Sequence, residues 1–267
     1  MNILEKIIAN KRIEIAAHKE VQSPAELAKL CETARTCYSF KQALTSSEVS
    51  IIAEFKRKSP SKGFIKEGAK IEDIVPGYAQ NGAATISVLT DMNFFGGELK
   101  DLQEARRLVD LLGLKTPLLR KDFIVDEYQI MQAKVMGADV ILLIAAALSV
   151  FETKTLAKAA HALGLEVLLE IHNDAELGHI NEFVDVVGVN NRNLSTFVTD
   201  IQTSFDLSEK IPHGIVRISE SGISEPATVR ELRNAGFEGF LMGENFMKQA
   251  DPAQALADFI AQVKVKR

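Results

Sequence analysis

At 267 residues the chain is long enough for one large domain or two small ones. Hydrophobic residues make up 46% and charged residues 25%, the balance of a globular protein with a sizeable core. The net charge of −5 argues against a nucleic-acid binder, which carries a basic excess or stripe, but is compatible with an anionic small molecule held by a few local cations. The two cysteines, Cys31 and Cys37, form no CxxC or Cys/His cluster, so they read as free thiols of a reducing compartment with no structural zinc. The first residues lack the basic-then-apolar pattern of a signal peptide, and the longest apolar run, residues 140–148, is too short to span a bilayer. A cytoplasmic protein without a membrane partner is the default expectation.

In chain order, residues 3–19 are expected to form a helix, with Ile3, Leu4, Ile7, Ile8, Ile13 and Ala17 as its apolar positions. A second helix is expected from Ser23-Pro24, with serine as the cap and proline in the first turn. A third short piece is expected over 39–44. Residues 1–48 thus read as a helical extension of a single domain spanning 1–267, with the first helix covering part of the rim described below.

From residue 50 the pattern changes. Strand-length apolar runs recur at 50–55, 85–89, 117–120, 140–144, 166–171, 184–189, 215–219 and 239–242, separated by amphipathic segments of helical length. That alternation implies parallel strands joined by crossover helices. Several junctions, such as Met136-Gly-Ala-Asp and Ala235-Gly-Phe-Glu, put glycine where a helix must end in a left-handed residue. Eight strand–helix units favour a closed (β/α)8 barrel, the TIM-barrel fold, which typically takes about 250 residues. An open doubly wound sheet would want a GxGxxG turn after its first strand, and none is present.

A parallel barrel carries its site at the C-terminal ends of its strands, and residues two apart face the same way. The inward parity then reads Ile52, Glu54, Lys56; Leu119, Lys121, Phe123; Leu168, Glu170; Gly188, Asn190, Arg192; Ile218, Glu220; and Leu241, Gly243. Burying several charges is costly unless they are paired or functional, so convergence on one rim points to an acid–base site centred on Lys121 and Glu170. The loops after the seventh and eighth strands, Ser219-Glu-Ser-Gly-Ile223 and Met242-Gly-Glu-Asn245, suit a phosphate held by backbone N–H groups. Lys56 and Ser59 are placed to complete that cradle, and the Glu244 carboxylate is expected to turn away. The five histidines show no ligand spacing and read as surface or capping residues, although His172 closely follows the fifth strand. The basic end, residues 264–267, reads as a solvated helix terminus.

These residues resemble the indole-3-glycerol-phosphate synthase family of tryptophan biosynthesis over nearly the whole chain. The resemblance is carried by Ile52-Ala-Glu-Phe-Lys-Arg-Lys-Ser-Pro-Ser61, Ser87-Val-Leu-Thr-Asp91, Leu118-Leu-Arg-Lys-Asp-Phe123, Leu168-Leu-Glu170, Gly188-Val-Asn-Asn-Arg192 and Ser219-Glu-Ser-Gly-Ile223. It implies decarboxylating closure of the pyrrole ring of 1-(2-carboxyphenylamino)-1-deoxyribulose 5-phosphate, with no cofactor or metal. By resemblance Lys121 is the general acid at the substrate carbonyl and Glu170 the base of the dehydration, with Glu54 and Lys56 assisting. Asn190 and Glu220 would orient hydroxyls and the intermediate, and Phe123 would pack on the anthranilate ring. Arg192, Ser59, Ser221, Gly222, Gly243 and Glu244 would line the rest of the substrate site. One departure is Asn193, where the family more often has aspartate. The expected assembly is a monomer or weak homodimer, with other tryptophan-pathway enzymes as potential partners. The residues alone leave open another phosphate-binding barrel, such as a sugar-phosphate isomerase or a Schiff-base aldolase, and a non-catalytic ligand-binding barrel.

Overall fold

In the computed structural model, which describes residues 2–194 and 196–265, eight parallel strands close into a barrel. They are β1 (Ser50–Phe55), β2 (Thr85–Leu89), β3 (Leu118–Lys121), β4 (Val140–Ile144), β5 (Glu166–Ile171), β6 (Val186–Asn190), β7 (Val216–Glu220) and β8 (Gly239–Met242). Each pairs with its sequence neighbours, and β1 closes on β8 through registers such as Ile52 with Leu241. The alternation read from the sequence decides which face is which. Ile52, Leu119, Leu142, Leu168, Ile218 and Leu241 fill the barrel. The opposite parity, including Ile51, Ala53, Val88, Leu143, Leu169 and Val187, packs outward beneath the helices. A one-residue slip in any strand would exchange the two sets.

Two expectations change. The third, sixth and seventh strands each run a residue further than the apolar pattern suggested, so Lys121, Asn190 and Glu220 lie within their strands. Each continues the ladder to at least one neighbour, Lys121 opposite Leu89 and Asn190 opposite Glu220. The crossover from β5 to β6 is also not an α-helix. A 3-10 segment, Asp174–His179, fills it, capped by the Asn173 side chain on the N–H of Ala175. That connection is too short for a full amphipathic helix.

The extension contributes α1 (Ile3–Val21), α2 (Pro24–Glu32) and α3 (Phe40–Thr45). Asn2 and Glu5 form a capping box on α1, and Ser23 and Glu26 form one on α2 with Pro24 in its first turn. The two end helices serve opposite mouths of the barrel. In α3, Phe40 and Leu44 are fully buried among the barrel's interior side chains, and Glu166 at the start of β5 takes the Ser39 hydroxyl at 2.6 Å and the Lys41 N–H at 2.7 Å. Helix α1 lies over the other mouth, where Ile3, Leu4 and Ile7 reach the cavity. Its buried face is Ile7, Lys11 and Ile15, whereas Ile13 is 71% exposed. A lysine thus stands where the pattern wanted an apolar residue. Its Nζ lies 2.9 Å from Asp91, 3.0 Å from Asp122 and 2.7 Å from Glu14, so the buried charge is compensated. Lys266 and Arg267, the end of the basic tail, lie outside the described residues. No helix among the described residues is long and apolar enough to cross a membrane.

Candidate active site

Every residue predicted for the site lines one cavity of about 410 Å³ at the C-terminal mouth of the barrel. Its floor is ionic. Lys121 Nζ lies 2.9 Å from Glu170 Oε2 and 2.6 Å from Glu220 Oε2, so one ammonium bridges β5 and β7 across the barrel. Lys56 pairs with Glu54 of β1. The side chains of Glu54, Glu170 and Glu220 are at most 3% exposed. Two glycines make room for them. A Cβ on Gly188 would overlap Glu220 Oε1, and one on Gly243 would stand 2.6 Å from Glu54 Oε1. Asn190 is level with Glu220 in the ladder, and its Oδ1 accepts the Arg192 N–H at 3.0 Å.

The electrostatics separate these groups. Burial disfavours charge on Lys121, but Glu170, Glu220 and Glu54 outweigh it and hold the ammonium above its ordinary pKa. Burial likewise pushes Glu170 up, and Lys121 and His172 reverse this, leaving its carboxyl well below the usual range. Glu220 goes the other way. Burial pushes it up to about 7, with Glu170 and Glu54 adding to the effect and Lys121 only partly offsetting it.

The walls above this floor differ in character. One is apolar, with Phe123 packed on Phe95 at 5.9 Å between ring centroids, together with Ile7, Leu142 and Ile144. The other carries Ser59, Arg192, Ser221, Gly222, Gly243 and Glu244. Ser221 has a φ of 67°, an uncommon left-handed conformation for a residue with a Cβ. Gly222 follows at 77°, where a Cβ would press on Thr199. Loops cross the mouth on this side. Arg192 Nη1 donates to Ser61 Oγ at 3.0 Å, and Lys62 holds the Glu244 carboxylate at 2.6 Å. Asn193 accepts the Thr196 N–H at 2.9 Å, a turn-forming bond that aspartate makes equally well.

Sequence reasoning missed several residues at or beside the cavity. Ser61 and Lys62 belong to a loop whose partners are distant in sequence. Phe95 stands in an aromatic doublet after β2, a signal that was available. His172 is half-buried beside Glu170, and His179, away from the cavity, is buried against Thr153. For His172 the signal was its parity with Glu170. Among the described residues no group of three His, Cys, Asp or Glu side chains is placed to hold a metal ion.

Comparison with known proteins adds independent findings. The family model described as indole-3-glycerol phosphate synthase matches residues 4–259. An indole-3-glycerol phosphate synthase of Bacteroides thetaiotaomicron is 52% identical, covering 98% of this chain and 99% of that protein. One of Burkholderia vietnamiensis is 45% identical, covering 96% and 98%. Among solved structures, 3-hexulose-6-phosphate synthase of Salmonella typhimurium matches with a TM-score of 0.60 at 15% identity, covering 80% of this chain and 100% of that one. That likeness is one of fold alone. With a family match over nearly the whole chain and relatives near half identity, the chain belongs to the indole-3-glycerol phosphate synthase family.

Proposed function

We infer that this chain converts 1-(2-carboxyphenylamino)-1-deoxyribulose 5-phosphate to indole-3-glycerol phosphate, carbon dioxide and water, with Lys121 as the acid and Glu170 as the base. The observation that carries the assignment of roles is the Lys121 ammonium held between Glu170 and Glu220 on the cavity floor. The ring carbon bearing the carboxylate attacks the ketone carbon, and the carbonyl oxygen takes a proton from Lys121. A positioned donor at a developing alkoxide lowers that barrier. The bond to the carboxylate then breaks, carbon dioxide leaves and the ring regains aromaticity. Loss of the new hydroxyl as water, its oxygen taking a proton from one of the two lysines, Lys56 or Lys121, while a proton passes from the adjacent carbon to Glu170, completes the pyrrole.

The cavity walls suit the two ends of this substrate. Phe123 and Phe95 offer an apolar slot for the anthranilate ring. Ser59, Arg192, Ser221, Gly222 and Gly243 supply donors and close backbone approach for the phosphate. Lys62 takes up the charge of Glu244, which would otherwise repel that phosphate. Lys56 and Glu54 assist beside the carbonyl, while Asn190 and Glu220 orient the hydroxyls. A Schiff-base aldolase would need Lys121 as a free amine, and its carboxylate neighbours favour the opposite state.

The test is turnover of the carboxyphenylamino substrate by purified protein, followed by indole fluorescence. Folded protein without product would sink the assignment. Lys121→Ala should abolish turnover, at least about 100-fold, while substrate binding persists; near-normal turnover would remove Lys121 from its role.

A further inference from the structure

Beyond Glu170 the chain of β5 continues outward through buried Ile171 and returns inward at His172. The His172 side chain is 10% exposed and sits between two carboxylates. Its Nδ1 hydrogen-bonds Glu176 Oε2 at 3.2 Å, whereas its Nε2 lies 3.2 Å from Glu170 Oε1 in an ion-pair contact that lacks hydrogen-bond alignment. The two Glu170 oxygens are therefore divided, Oε2 facing Lys121 and Oε1 facing His172. Glu176, in the 3-10 segment, is itself fixed. Its Oε2 accepts the His172 backbone N–H at 2.7 Å, and its Oε1 accepts from Asn173 Nδ2 at 2.9 Å. An imidazole with a carboxylate at each nitrogen carries a proton on both.

We propose that His172 is a positioning residue of the ring-closing site: clamped by Glu176, it holds its ring charge beside Glu170 Oε1 and keeps that carboxylate in place opposite Lys121. The inference rests on the reading of Glu170 as the base. Its strength lies in a contrast between two acids. Glu170 and Glu220 both touch Lys121, yet among the described residues only Glu170 has a second cation. The charged groups involved are Glu170 and Glu176 around His172, Lys121 and His172 around Glu170, and Glu220 and Glu54 around Lys121. Burial disfavours the imidazolium, but Glu170 and Glu176 raise it to about 10, so the cation persists through the neutral range. Without it, Glu170 would share one ammonium with Glu220 and lose its advantage in ionisation. Environments that push two carboxylates apart assign their roles, and here the asymmetry comes from His172.

The test uses His172→Gln and Glu176→Gln in the full chain, with Glu170→Gln as the reference. Turnover of the carboxyphenylamino substrate is measured across pH, with melting as a check of folding. Glu176 does not line the cavity, so its variant reports on the clamp alone and decides the matter if His172→Gln fails to fold. His172→Gln should lower kcat by about 10-fold with KM changed by less than about two-fold. The acid limb of the kcat profile should move up by about 1 pH unit or more, since an opposite charge lowers a carboxylate by about 1 to 3 units. Glu176→Gln should move it in the same direction by less. Adding His172→Gln to Glu170→Gln should cost nothing further. Folded His172→Gln and Glu176→Gln proteins with kcat within about two-fold and the acid limb in place, beside an inactive Glu170→Gln, would overturn the proposal and leave His172 a packing residue. A fully active Glu170→Gln would overturn the base assignment and the proposal with it.

Discussion

Replacing Lys11 by methionine keeps the packing of its stem and deletes its charge. The Lys11 side chain is 4% exposed, and its partners Asp91 and Asp122 are 0% and 1% exposed. After the change Asp122 still has Arg120 at 2.9 Å and the Thr90 hydroxyl at 2.6 Å. Among the described residues, Asp91 keeps only the Phe94 N–H at 2.8 Å. Breaking one partner out of a buried ion pair costs about 3–5 kcal/mol. At about 2–4 °C per kcal/mol for a domain approaching this size, the melting temperature should fall by roughly 6–20 °C. Burial already pushes the Asp91 carboxyl up with Lys11 in place, and without Lys11 it rises further. An acid whose native pKa exceeds its unfolded value destabilises progressively as pH climbs above the unfolded value. The defect should therefore be larger at pH 8 than at pH 5, on an order-of-magnitude reading of that linkage. Adding Asp91→Asn removes the orphaned charge and should restore more than half the loss. Helix α1 also carries Ile3, Leu4 and Ile7 into the cavity wall, so KM should rise more than kcat falls. Thermal melts at the two pH values, single against double variant, decide the matter. A loss under about 1 kcal/mol at pH 8, or a double variant no better than the single, would refute a compensated buried charge.

Glu220→Gln addresses the other buried acid. The native state raises Glu220 from 4.5 to about 7, so it binds a proton more tightly than the unfolded chain and stability falls as pH rises through that window. The variant should melt above the parent at about pH 8, with the gap closing toward about pH 5, and should lose turnover; a gap independent of pH would refute this. Gly188→Ala should separate activity from stability. Its new Cβ meets the far end of a flexible side chain, Glu220 Oε1, which can swing off Lys121, so turnover should drop by about 10- to 100-fold while the melting temperature stays within a few degrees. An inactive protein that also fails to fold would instead place the clash on Leu168.

The sequence was most informative where one physical rule acts alone. Strand parity placed Glu54, Lys121, Glu170 and Glu220 on one rim because side chains alternate whatever surrounds them. Serine and proline announced α2 because capping is local. Where the deciding partner lies far along the chain, the pattern misled. Ile13 looked like a core position, yet it is exposed and Lys11 is buried, because the acids that compensate that lysine are the distant Asp91 and Asp122. His172 was legible as a neighbour of the fifth strand but not in its role, because its partners are carboxylates, one of them on a segment that resembled a helix and is not one.

The glycines at 188 and 243 connect these observations to the cost of the site. An ordinary barrel interior would fill both positions with a side chain and gain about 1.5–3 kcal/mol for each large apolar group buried. Here each instead clears the space taken by a buried carboxylate, Glu220 in one case and Glu54 in the other. The burial of acids that share too few cations then leaves Glu220 Oε1 without a hydrogen-bond partner among the described residues. A buried oxygen deprived of a donor costs about 1–3 kcal/mol, and Glu220 faces the cavity. A substrate hydroxyl donating to Glu220 Oε1 would supply that donor and favour a polyhydroxylated chain over a deoxygenated one.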